Sequence, residues 1–128
     1  MEIEHLGMNV EDPVALADWY VAHLGMRIVS AWDEPLPVRF LADSAGHVMI
    51  EVYCNPAAEW LDYSLVNPLV IHLAFSSENV RRDYARLLAA GATPASEPAT
   101  LPSGDQIAVV RDPWSFPIQL VQRRQPMI

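Results

Sequence analysis

The stretch IEHLGMNVEDPVALADWYVAHLGM, residues 3–26, decides how this chain folds, because VIHLAFSSENV, residues 70–80, begins the same order again. In the first stretch, residues 3–10 alternate as a strand does. Asp12 and Pro13 then supply an N-cap and a first-turn proline. Val14, Leu16, Ala17, Tyr20, Val21 and Leu24 follow at helical spacing, and Gly25 stops the helix. Strand-like runs at Met26 to Trp32, Val38 to Ala42 and His47 to Tyr53 complete a β-α-β-β-β order, with DSAG between the last two as a hairpin signal. From Leu69 the order repeats. A strand to Phe75 precedes a helix capped by Ser76 or Ser77 and running through Ala90, with Gly91 ending it. Thr93 to Thr100, broken by Pro94 and Pro98, reads as an edge or irregular strand. Gln106 to Arg111 and Pro117 to Gln122 are stronger strands joined by DPWSF.

Two copies of one supersecondary unit, offset by about 67 residues, imply an α+β fold of tandem βαβββ modules forming a curved mixed sheet. Module one covers about 1–53 and module two about 69–125. A linker over about 54–68 has room for a short helical turn. At 128 residues the whole fits one domain.

Composition narrows the function. The chain has 52% hydrophobic and 19% charged residues, as globular proteins do. Its net charge of −8 argues against nucleic acid, whose phosphates need clustered Lys and Arg. There is no lysine, which removes Schiff-base chemistry and the phosphate-binding P-loop. No apolar run reaches a membrane span, and the acidic start MEIEHLGMNV is unlike a signal peptide. Cys54 is the single cysteine, so no internal disulfide forms and a cytoplasmic location is expected.

The repeat also pairs chemistry-bearing residues. His5 precedes Glu51 by 46 residues, and His72 precedes Gln119 by 47. Strand alternation puts His5 on the face of Gly7 and Asn9, Glu51 with Met49 and Tyr53, His72 with Ala74, and Gln119 with Val121. Each stands opposite the more apolar face, and the four are expected to converge as ligands of one divalent ion. Singly, each histidine reads equally as a hydrogen-bonded strand residue, and Glu51 as a solvent-facing one. His23 suits a helix C-terminus, and His47 a hairpin.

These segments, with VMIEVYCNP (residues 48–56) and VVRDPWSFPIQLVQR (residues 109–123), resemble the vicinal oxygen chelate superfamily over essentially the whole chain. That group includes glyoxalase I, methylmalonyl-CoA epimerase, extradiol dioxygenases and bleomycin-resistance proteins. The resemblance implies that His5, Glu51, His72 and Gln119 occupy the metal-ligand positions of the glyoxalase and epimerase branches. It further implies a small oxygen-chelating substrate and a homodimer. Gln119 departs from the Glu usual in glyoxalase I and the dioxygenases. Asn9 stands where bacterial glyoxalase I has an arginine for glutathione, whereas Asn55 matches an asparagine of its thiol site.

Two imidazoles, a carboxylate and an amide suit Zn, Ni, Co, Mn or Fe. The expected activity is that of a metal-dependent lyase or isomerase working through an enediolate. Gln119 cannot titrate, so Glu51 is the expected base. The rival expectation is a metal-free binding protein of the bleomycin-resistance type, and another enzyme of the superfamily, such as a dioxygenase, is a third. Tyr53, Trp60, Tyr63, Trp114 and Phe116 are candidate pocket walls, with core or linker packing as the alternative. Arg39 is read either as a holder of a substrate anion or as a surface ladder residue.

Overall fold

The computed structural model describes residues 1–46 and 49–127. Its elements run β1 (Leu6–Asn9), α1 (Pro13–Leu24), β2 (Arg27–Trp32), β3 (Val38–Ala42), β4 (Met49–Tyr53), a 3-10 turn at Tyr63–Leu65, β5 (Leu73–Ser76), α2 (Val80–Ala89), β6 (Thr93–Thr100), β7 (Gln106–Arg111) and β8 (Pro117–Gln122). The α+β class and its doubled βαβββ order are present, with one mixed four-stranded sheet per repeat. The chain forms two compact units, Met1–Leu61 and Asp62–Ile128. His47 and Val48, which include the hairpin histidine of the sequence reading, lie outside the described residues.

In unit one the sheet order is β1-β4-β3-β2, with β1 parallel to β4 and the other pairs antiparallel. Asp12 caps α1 by accepting the Ala15 N–H at 3.0 Å, Pro13 opens it, and Gly25 closes it at φ 70°. A side chain at that φ would be strained, so glycine fits the stop. The helix packs on β3, β2 and β4 and buries Leu16, Ala17 and Tyr20. On β4, Ile50 and Val52 are buried while Met49, Glu51 and Tyr53 are half-buried. Alternation has thus given one face to the core and left Glu51 on the other.

Unit two repeats the plan as β5-β8-β7-β6, with α2 packed on β7, β6 and β8. Val80, Leu87, Ala108, Val110, Ile118 and Leu120 are buried there. The proline-broken β6 is an edge strand, and its register shifts between Pro94 and Ser96 and again before Ala99. Prolines cannot donate to a ladder, and the edge tolerates them.

Three boundaries differ from expectation. The ladder of β1 begins at Leu6, paired with Ile50, so His5 stands just before the strand. The fifth strand begins at Leu73 instead of Leu69. Asn67 accepts the Leu69 N–H on its side chain and the Val70 N–H on its carbonyl, rolling this segment into a turn. His72 therefore also stands just before its strand. The cap of α2 is Asn79, whose side chain accepts the Arg82 N–H at 2.9 Å, rather than Ser76 or Ser77. Ser77 instead accepts the Asn79 N–H and donates to the Asp83 carboxylate.

Candidate metal centre

In unit one the parallel register sets Gly7 beside Glu51 and Asn9 beside Tyr53. His5, two residues before Gly7, reaches the same face, and its Nε2 lies 3.3 Å from Glu51 Oε2. Its Nδ1 hydrogen-bonds to the Glu4 carboxylate, and its ring meets Phe40 edge-on at 5.5 Å. The Glu4 hydrogen bond holds His5 above the ordinary imidazole pKa, against a loss of hydration, with the charges of Glu4 and Glu51 adding to the rise. Gly7 stands beside this pair, with ordinary contact room for a small side chain. A Cβ there would stand 3.4 Å from both Glu51 Oε2 and Tyr53 Cε1. A cavity of about 280 Å³ opens beside Glu51, lined also by Leu36, Val38, Tyr53, Cys54 and Asn55.

Unit two carries the matching register, with Ala74 beside Gln119 and Ser76 beside Val121. His72 again lies two residues before the strand position that faces the polar residue. Its Nδ1 is 2.8 Å from the Pro68 carbonyl. A carbonyl only accepts, so Nδ1 carries the proton and a neutral His72 keeps its lone pair on Nε2. A metal-ligating imidazole is oriented in this way. Gln119 is half-buried on a strand whose neighbours Ile118 and Leu120 are buried. His5 and Glu51 are thus in contact within one unit, and His72 and Gln119 occupy equivalent positions in the other. Among the described residues no three of His, Cys, Asp and Glu are arranged so as to hold a metal ion.

The remaining candidates divide. Asn9 donates to the carbonyls of Asn55 and Ala58 and accepts the Asn55 N–H, while Asn55 accepts the Ala57 N–H. Both asparagines hold the segment after β4. Arg39 pairs with Asp33 at 2.6 Å and donates to the carbonyls of Trp32 and Val38. It fastens the β2–β3 connection. Phe116 is buried edge-on against Tyr63, 4.8 Å between centroids, so it belongs to the core rather than to an open wall. Trp114 is half-buried in the β7–β8 turn and Trp60 is exposed. The contact of Glu4 with His5 was not expected.

Over residues 2–120 the sequence matches the family model of the Glyoxalase/Bleomycin resistance protein/Dioxygenase superfamily. The chain belongs to that superfamily. Members of similar fold include glyoxalase I from Zea mays, with a TM-score of 0.77 and 21% identity over 97% of this chain and 45% of that one. This chain therefore spans just under half of the maize chain. A glyoxalase family protein from Enterococcus faecalis aligns with a TM-score of 0.71 and 22% identity, covering 94% and 97% of the two chains. TnmS3, an antibiotic binding protein from Streptomyces sp. CB03234, aligns at 0.70 and 22%, covering 95% and 98%. Such likenesses establish the superfamily fold. No curated protein sequence matches the chain.

Proposed function

We propose that this chain is a metal-dependent lyase or isomerase of the superfamily, acting through an enediolate on a small oxygen-chelating substrate. His5, Glu51, His72 and Gln119 form the proposed ligand set for one divalent ion, Zn, Ni, Co, Mn or Fe. The observation that carries this reading is the doubled register, in which a histidine stands two residues before the partner of Glu51 and again before the partner of Gln119. The donors fit a divalent ion chemically: two imidazoles, one carboxylate and one amide oxygen. Bound, the ion supplies charge stabilisation to the substrate oxygens.

The chain's own residues supply the rest. Glu51 takes the proton alpha to the substrate carbonyl and returns it, since Gln119 has no proton to exchange. The Pro68 carbonyl fixes the ring of His72. Purified protein analysed for metal, then assayed for exchange of alpha protons with D2O across alpha-keto thiol adducts and acyl thioesters, tests the reading. Stoichiometric metal and a loss of roughly 10²–10⁴-fold in exchange for Glu51→Gln are expected. Unchanged exchange in that variant would sink the assignment. The same reading includes a homodimer, checked by light scattering, and a cytoplasmic location, checked by fractionation.

One observation favours a second reading, a metal-free binding protein for a cationic ligand. His5 already has Glu4 on one ring nitrogen and Glu51 near the other, so the pair is satisfied without an ion. The net charge of −8 and the fold shared with an antibiotic binding protein accord with it. Protein that purifies without metal and gains nothing on titration with Ni or Zn would select this reading.

A further inference from the structure

His72 takes its orientation from a backbone carbonyl, and an arginine elsewhere in unit two holds the segment that carries it. Arg111, the last residue of β7, turns its guanidinium onto three backbone oxygens. Its Nη1 donates to the Tyr63 carbonyl at 2.7 Å and the Ser115 carbonyl at 3.0 Å, and its Nη2 donates to the Val66 carbonyl at 2.8 Å. One planar fork thus grips both ends of the 3-10 turn and ties them to the β7–β8 turn. Among the described residues no carboxylate pairs with Arg111. The grip then passes to the site through two residues. Asn67 is restricted to extended conformations by the proline after it, and it accepts the Leu69 and Val70 N–H groups. Pro68 has its φ locked by its ring, and its carbonyl accepts the His72 Nδ1–H at 2.8 Å. From guanidinium to imidazole the path has few free torsions. Unit one lacks the device. Aligned through Glu51 and Gln119, Arg111 corresponds to Ala42, since Arg111 lies opposite Pro117 and Ala42 opposite Met49. There His5 Nδ1 meets the neighbouring Glu4 instead.

We infer that Arg111 is a positioning residue for His72: by clamping residues 63–66 it places the Pro68 carbonyl, which keeps His72 in its Nδ1–H tautomer. The use made of the free Nε2 lone pair rests on the metal reading, whereas the clamp itself does not. Released from the carbonyl, the ring exchanges between tautomers, and only the Nδ1–H form has its lone pair on Nε2. A guanidinium suits the task because its N–H groups lie in one plane and reach three acceptors together. An ammonium on a flexible stem reproduces that fork only in part. Partners that orient a ligating imidazole in this way change metal affinity by roughly 10–100-fold.

The test reads the tautomer directly, from proton–nitrogen NMR correlations of the imidazole rings in the whole chain at alkaline pH, before metal is added. The parent should show His72 in the Nδ1–H form. Arg111→Met, which keeps an unbranched stem, should turn it into a mixture of tautomers and move the amide signals of residues 67–71. The His5 ring, which has no such clamp, should stay as in the parent. Arg111→Lys should restore the parent tautomer in part. Asn67→Ala, at an exposed position, loosens the same turn and decides the matter if Arg111→Met does not fold. Titration with Ni or Zn should then show affinity lowered by roughly 10–100-fold in Arg111→Met. A parent His72 in the Nε2–H form would overturn the inference, as would a folded Arg111→Met chain that keeps the parent tautomer. The two readings fail separately. A tautomer that follows Arg111 in a chain that takes up no metal leaves the clamp standing and the metal site fallen, and metal bound with an unmoved tautomer does the reverse.

Discussion

Asp112 shows how far one buried side chain can set local structure. It is 2% exposed, and its carboxylate accepts the N–H groups of Trp114 and Phe116 at 2.9 and 2.8 Å, while its carbonyl accepts Ser115. That network holds Ser115 at φ 70°, a conformation unusual for serine, and delivers Phe116 to the core. Asp112→Ala leaves two donors without an acceptor and should cost about 1–3 kcal/mol in urea unfolding. Asp112→Asn, which keeps one acceptor oxygen, should recover most of it. The DPWSF turn was legible in sequence because Asp, Pro and Ser are turn formers. The fate of its aromatics was not, since Phe116 and Trp114 have the same hydrophobic signature and only packing buries one of them. The site divides similarly. Glu51 could be placed by alternation, while the engagement of Arg39 with Asp33 needed the three-dimensional path of the β2–β3 connection.

Among the elements, α2 separates what local chemistry fixes from what tertiary contacts fix. Asn79 caps it, so Asn79→Ala should cost about 1 kcal/mol and Asn79→Ser almost nothing, read from thermal unfolding. Ser76, Ser77 and Asn79 all have capping side chains, and sequence alone could not rank them. Ser77 is instead drawn to Asp83, linking the end of β5 to the first turn of the helix. Burial pushes the Asp83 carboxyl up, but the Ser77 hydroxyl and the guanidiniums of Arg82 and Arg86 outweigh it and hold its pKa below the ordinary value. A lowered carboxyl pKa stabilises the fold at every pH above the unfolded value, about 3.9. The contribution is lost as pH falls through the folded-state pKa. Stability curves of the parent and Asp83→Asn should therefore converge in acid and separate toward neutrality, and parallel curves would refute the link. The start of β5 was missed for a related reason. Leu69 to Phe75 is apolar enough for a strand, but Asn67 captures two N–H groups and the ladder waits until Leu73.

Over the whole molecule, the duplication is what makes the fold readable in the sequence. Two near-equal His-to-Glu and His-to-Gln intervals required the same strand order twice, and the registers of β1 with β4 and of β5 with β8 have it. Chemical inequality between the repeats carried less signal, because Tyr53 and Val121 become comparable only once Glu51 and Gln119 are aligned. The ligand set proposed from that alignment has a thermodynamic consequence that does not depend on knowing the substrate. An ion that binds the folded chain and not the unfolded one stabilises it by about 2.7 kcal/mol at one hundred times its dissociation constant. For a chain of this length that raises the melting midpoint by roughly 10 °C. Ni or Zn should produce the rise, and a chelator should reverse it. His5→Ala and His72→Ala should each remove most of it, since each deletes a strong nitrogen donor. Gln119→Ala should remove less, because a neutral amide oxygen is the weakest of the four. If His5→Ala and His72→Ala melt with the same metal-induced rise as the parent, the ion is bound elsewhere and the four-residue site is wrong.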